Sequence, residues 1–164
     1  MIRMILLDVD GCLTDGKIIY SEDGNETKAF NVKDGLAIKS WMKLGYEVAI
    51  ITGRKSEIVR RRAAELGIRH LYQGVKDKAS LAEELLDRLD ISLGETAAIG
   101  DDLNDYRMIE KAGIGFVPLN GSHYVKKIAD TVLESKGGEG AVREMIEILI
   151  RDNAREGEFL SMWQ

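Results

Sequence analysis

Three apolar runs of the chain end in polar residues that could do chemistry. Asp8-Val9-Asp10-Gly11 follows Met4-Ile5-Leu6-Leu7, Thr52-Gly53-Arg54 follows Glu47–Ile51, and Gly100-Asp101-Asp102 follows Thr96–Ile99, with Asp105 close behind. On an extended backbone, residues two apart share a side, so Asp8 and Asp10 are expected to project together. Close carboxylates repel and raise each other's pKa. A divalent cation removes that cost, and Asp101 would complete a hard oxygen site, which makes Asp8, Asp10 and Asp101 the metal candidates. Mg²⁺ is the expected ion, because it takes few carboxylates, keeps waters and accepts a substrate phosphate as a further ligand. Taken singly, a strand-terminal Asp is a turn former or a helix cap. Three such groups at one sheet edge are harder to explain that way. Asp102 is expected to be structural or to support the ligands, while Asp105 is open between a part in the acidic group and a solvated place on the first turn of its helix.

These groups can meet only if the runs lie side by side. Met4–Leu7 reads as a buried central strand. Residues 18–20 and 27–30 flank a turn with Asp23-Gly24, a hairpin signal. Asp34 is expected to cap a helix carrying Leu36, Ile38, Trp41, Met42 and Leu44, stopped by Gly45. Glu47–Ile51 reads as a second buried strand, and Ser56 as the cap of a helix ending at Leu66 before Gly67. The alternation continues with a strand at 70–72, a helix at 77–89, a strand at 96–99, a helix at 103–112 and a strand at 114–117. A short helix at 122–128, a strand at 131–133 and a helix at 141–151 complete it. Strands alternating with helices imply an α/β fold: a three-layer, Rossmann-like parallel sheet with helices on both faces, and a small β-hairpin after the first strand. In such sheets ligands sit at the carboxyl ends of the strands.

Composition narrows the function classes. The 164 residues suit a single domain, with the hairpin at about 17–31 and a tail at about 153–164. Lys and Arg number 23 against 28 Asp and Glu, a net charge of −5, which disfavours a nucleic-acid surface. No apolar run approaches the ~20 residues a bilayer span needs. Residues 1–13 do not read as a secretory signal, and the single Cys12 suits a reducing cytoplasm. His70 and His123 are isolated, without zinc spacing. Gly137-Gly138-Glu139-Gly140 lacks the Lys-Ser/Thr of a nucleotide loop and reads as a flexible connector, with Arg143 as a group it could present to the site.

The segment Asp8-Val9-Asp10-Gly11-Cys12-Leu13-Thr14 resembles the first motif of the haloacid dehalogenase superfamily of phosphotransferases. Thr52, Lys78 and Gly100-Asp101-Asp102-Leu103-Asn104-Asp105 resemble its second, third and fourth motifs, in the same order and strand context. A narrower resemblance, running through Lys28-Ala29-Phe30-Asn31-Val32-Lys33-Asp34-Gly35, Ile51-Thr52-Gly53-Arg54-Lys55, His70-Leu71-Tyr72-Gln73-Gly74 and Gly137-Gly138-Glu139-Gly140-Ala141-Val142-Arg143-Glu144, is to the sugar-acid phosphatases that act on 3-deoxy-D-manno-octulosonate 8-phosphate.

The resemblance implies a set of roles. Asp8 would be the nucleophile, and Asp10 the general acid and then base, with its backbone carbonyl as the metal contact. Thr52 would donate to the phosphoryl oxygens, and Lys78 would hold the phosphate and the nucleophile's charge. Lys76 and Lys78 open a helix, where a cation is mildly unfavourable; a lysine there needs a reason. The substrate would be an anionic sugar phosphate with a carboxylate, so further cations are expected. Arg54 follows Thr52-Gly53, and Arg62 borders an apolar row with Ile58 and Leu66, so both are candidate binders. The resemblance adds Asn31 and Lys39, the latter equally readable as an exposed helix lysine.

Many relatives cover the site with a separate cap domain, for which this chain has no room. The resemblance implies instead a homotetramer in which hairpins pack together and neighbours cover each other's sites. Ile18, Ile19, Tyr20 and Phe30 fit that, since a small ribbon cannot bury them alone. The apolar tail residues Phe159, Leu160, Met162 and Trp163 dock the same way or fray. Two other readings compete: a phosphatase for another acidic sugar, of the nonulosonate 9-phosphate kind, and a receiver-like Mg²⁺-binding signalling module. Asp10 argues against the receiver, because a carboxylate two residues after the phosphorylated one speeds loss of the phosphate.

Overall fold

A computed structural model describes all 164 residues. Six parallel strands form the sheet, in the order β5-β4-β1-β6-β7-β8: β1 Met4–Leu7, β4 Glu47–Ile51, β5 His70–Tyr72, β6 Thr96–Ile99, β7 Ile114–Val117 and β8 Thr131–Val132. The first strand is central, as its run of four buried apolar residues requires. Chain order reverses between β1 and β6, the place where such sheets open a crevice at their carboxyl ends.

Side chains alternate between two cores. Ile5, Leu7, Val48, Ile50, Ala97 and Ile99 face α1 (Val32–Lys43), α2 (Glu57–Leu66) and α6 (Ala141–Asp152) through Ile38, Trp41, Val59, Leu66, Met145 and Leu149. Met4, Leu6, Ala49, Ile51 and Ala98 face α3 (Lys78–Leu89) and α4 (Tyr106–Lys111) through Ala82, Leu85, Leu86 and Met108. α5 is a short helix at His123–Lys126.

Four local features differ from the reading above. The hairpin is smaller, with β2 at Ile19–Tyr20 and β3 at Glu26–Thr27. Asn31, not Asp34, caps α1, its Oδ1 accepting from Lys33 N at 2.8 Å. Asp34 lies buried inside the first turn, where its Oδ1 accepts from Arg143 N at 2.8 Å and joins α1 to α6. Burial pushes its carboxyl up to about 6, against the opposing pull of the Arg143 N–H and of Arg62 and Arg143. The segment after Asp102 is a single tight turn, Leu103–Asp105, before α4 begins. The tail forms α7, Glu156–Ser161, and Phe159 packs into this chain's own core beside α6, while Leu160 and Trp163 stay exposed. Only a wide turn and the two-strand hairpin lie between β1 and α1, so no cap sheet covers the strand ends.

Candidate active site

The strand register brings the acidic segments to one edge. Leu7 pairs with Ile50 on one side and Ile99 on the other, so Asp8, Thr52 and Gly100-Asp101 leave the sheet together. Asp8 and Thr52 are buried there. Lys78 begins α3 behind the cap Asp77, whose side chain accepts from Ser80 N. Its ammonium is buried, 2.6 Å from Asp8 Oδ1 and 2.5 Å from Asp105 Oδ1. Those two carboxylates repay the desolvation of the ammonium and hold Lys78 protonated.

Of the two readings open for Asp105, the structure excludes the solvated one. The residue is fully buried, and its Oδ2 accepts from Asp101 N at 3.1 Å. One carboxylate thus braces both the ammonium and the backbone of the Asp101 turn. Asp102 is exposed and accepts locally from Leu103 N, a structural role.

Beyond Leu7 the chain leaves the sheet in a wide turn, closed by Thr14 N donating to Val9 O at 3.0 Å. Gly11 sits at φ +99°, and a Cβ there would lie 2.0 Å from Asp101 Oδ2. Only glycine lets the turn and the Asp101 carboxylate approach so closely.

The donor atoms of Asp8, Cys12 and Asp101 all lie within 4.8 Å of one another. That is near the ~4 Å that separates opposite ligands of an octahedral Mg²⁺. Asp10 is not in the group. The two-residue alternation that predicted its company with Asp8 stops with the strand at Leu7, and its carboxylate turns to the Lys28 ammonium instead, at 2.5 Å. Cys12 is buried in the core. Burial and the nearby carboxylates push its thiol well above the usual range, so it stays protonated and soft, unsuited to a hard cation.

Burial, then the Asp105 charge, pushes Asp8 up to about 8 against the pull of Lys78; burial, Asp105 and Asp102 push Asp101 up to about 7. Carboxylates crowded this way lack positive charge, which is what a divalent cation would add. The residues present fit Mg²⁺, through Asp8 and Asp101.

The residues proposed for the substrate divide into two groups. Arg54 stands at the rim, 42% exposed, donating to Tyr20 Oη and Glu26 Oε1, both at 3.4 Å. Asn31 is committed to its capping bond and to Gly138 O, at 3.3 Å. Arg62 lies over the Phe30 ring and against Gly35. Lys39 shares a groove between α1 and α2 with Val32, Leu36 and Arg62, about 12 Å along the helix from Asn31. The structure does not bring Arg62 or Lys39 to Asp8.

The glycine-rich segment 137–140 is no loose connector. Gly138 N donates to Cys12 O, and Gly137 N to Asn120 Oδ1, both at 3.0 Å. A Cβ on Gly137 would sit 1.7 Å from Gly11 O. The segment is wedged against the turn that carries Asp10, and Gly137 and Gly138 are required there by contact with backbone. Such close approach, far apart in sequence, leaves no local signal.

A family model for haloacid dehalogenase-like hydrolases matches residues 70–146. The 3-deoxy-D-manno-octulosonate 8-phosphate phosphatase KdsC of Escherichia coli (strain K12) is 44% identical over 149 residues, covering 91% of this chain and 79% of that protein. The protein of that name from Haemophilus influenzae is 37% identical over 96% of this chain and 88% of its own length. The crystal structure of the Moraxella catarrhalis phosphatase of that name, in complex with magnesium, phosphate and KDO, superposes with a TM-score of 0.95 at 43% identity, covering 99% of this chain and 94% of that one. With these motifs at one sheet edge and that similarity along almost its whole length, the chain belongs to the haloacid dehalogenase-like hydrolases, in the family of 3-deoxy-D-manno-octulosonate 8-phosphate phosphatases.

Proposed function

We infer that the chain is a Mg²⁺-dependent phosphomonoesterase that hydrolyses 3-deoxy-D-manno-octulosonate 8-phosphate to the free sugar acid and phosphate. The observation that carries this reading is the buried Asp8–Lys78–Asp105 ion cluster beside Asp101, at the carboxyl edge of a family-typical sheet. Asp8 attacks phosphorus, and the phosphorus–sugar oxygen bond breaks as Asp10 gives its proton to the departing oxygen. Asp10 then takes a proton from water, whose oxygen attacks the aspartyl-phosphate and frees the Asp8 carboxylate. The Lys78 ammonium and the Thr52 hydroxyl steady the phosphoryl oxygens. The Asp8 and Asp101 side chains and the Asp10 carbonyl would hold Mg²⁺, whose charge offsets the repulsion between Asp8 and the phosphate dianion.

A phosphate-release screen over sugar phosphates tests this. The octulosonate 8-phosphate should be turned over best, EDTA should stop the reaction and Mg²⁺ restore it. Preference for a nonulosonate 9-phosphate would replace the substrate, and metal-independent turnover would remove the ion. A melting series adds the pH dependence. The folded chain without metal keeps protons on Asp8 and Asp101 that the unfolded chain releases near pH 4, so its stability falls as pH rises towards 7 and 8. Mg²⁺ binds the ionised pair, and the rise in Tm that it gives should therefore grow across the same range.

The uncovered strand edge and the placing of Arg62 and Lys39 support the homotetramer. Ile18, Ile19, Tyr20, Val32 and Leu36 are all exposed on the hairpin and the first turns of α1, an apolar surface that a neighbouring copy would cover. In that assembly Arg62 and Lys39 serve a neighbour's site, and Arg54 its own. Light scattering should give four times the chain mass; a fully active monomer would overturn this part. No helix is long and apolar enough to cross a membrane. A cytoplasmic location is proposed on the single cysteine, Cys12.

A further inference from the structure

Lys28 is a buried cation with no part in the steps above. It leaves β3 with its side chain only 1% exposed, its ammonium 2.5 Å from Asp10 Oδ1 and 3.1 Å from Glu26 Oε1. Glu26 also accepts from Arg54, at 3.4 Å. Four charges of alternating sign therefore run from Asp10 out to the rim. Burying an ammonium is costly unless its partners are well placed, and one of the two partners lies eighteen residues back, on the turn after β1. The hairpin strands are two residues each and supply little rigidity of their own. Asp10, for its part, has a carboxylate that no backbone N–H holds in place.

Resting on the reading of Asp10 as acid and base, we propose that Lys28 is a positioning residue: its ammonium fixes the orientation of the Asp10 carboxylate, and Glu26 and Arg54 fix Lys28. Proton transfer demands hydrogen-bond geometry, so a carboxylate freed to rotate loses rate while phosphate binding persists.

The test is a double-mutant cycle of Lys28→Met with Asp10→Asn, read on p-nitrophenyl phosphate with Mg²⁺. That leaving group departs without a proton, so Lys28→Met should keep a burst of about one nitrophenolate per site while its steady kcat falls about tenfold. KM should fall in step with kcat, so that kcat/KM, which reports only the steps up to phosphorylation of Asp8, stays within about twofold, and Lys28→Arg should recover most of the loss. In the Asp10→Asn background the same change should cost less than about twofold, because its only route to the chemistry is gone. A proportional loss in both backgrounds, or an unchanged kcat, would overturn the proposal. Should Lys28→Met melt at room temperature, Lys28→Gln, neutral but still a donor, takes its place in the cycle. A wild type active here but inert towards the octulosonate phosphate would condemn the substrate and not Lys28. A wild type inert on both would remove the phosphatase reading and this proposal with it.

Discussion

Asp8→Asn should lower turnover by on the order of 10⁴-fold or more and yet leave the metal-free protein no less stable. The amide has the shape of the carboxylate but cannot form the acyl-phosphate, and Asp105 cannot take over, since it is locked to Lys78 and Asp101 N. Stability should move the other way. Burial and Asp105 hold Asp8 up to about 8, so ionising it costs folding free energy as pH rises through that range. Asparagine has no such cost, and the downward slope of Tm with pH should flatten. Single-turnover phosphate release and melting curves without metal read the two effects. Retained turnover would dismiss Asp8 as nucleophile, and a lower Tm near pH 8 would mean that its charge is wanted for folding. A residue that weakens the fold and is needed for the chemistry is the expected trade at a site built on crowded carboxylates.

That crowding was legible because it depends on strand order and register alone. Runs such as Met4–Leu7 and Thr96–Ile99 announce buried parallel strands, and the residue after each must emerge at the same edge, which places Asp8, Thr52 and Asp101 without knowledge of any side-chain contact. Lys78 was legible from the oddity of a cation opening a helix. What could not be read was whatever the turns decide. Asp10 swings to Lys28 once the strand has ended, and periodicity says nothing past Leu7. Asn31 and Asp34 are both residue types that cap helices, and only packing against α6 shows that the second is buried. Asp105 turns inward because a buried ammonium waits there, a partner twenty-seven residues away in sequence. The wedge of Gly137 against Gly11 is a contact of two backbones, and the glycines on either side could as well mark flexibility. The six-residue α7 is too short for any period to appear.

Replacing Lys78 separates the two meanings of its position by sign. A solvated lysine at the first position of a helix opposes the helix dipole, and Lys78→Met would then stabilise the fold slightly. The ammonium seen here is 1% exposed and lies between Asp8 and Asp105, whose side chains are 5% and 0% exposed. Methionine of similar length would leave two buried carboxylates facing each other, and removing one partner of such an arrangement costs about 3–5 kcal/mol. That loss should be larger above about pH 8 than near pH 6, because once Asp8 ionises it faces Asp105 with no ammonium between them. Mg²⁺ should recover part of the stability through Asp8 but little of the rate, since no cation would then face the phosphoryl oxygens from the α3 side; kcat should fall on the order of 10²-fold or more. Denaturant melts at the two pH values, with and without Mg²⁺, decide the matter. A loss of equal size at both, or any gain, would mean that the charge of Lys78 is not what joins the two carboxylates, and the site would have to be built around another cation.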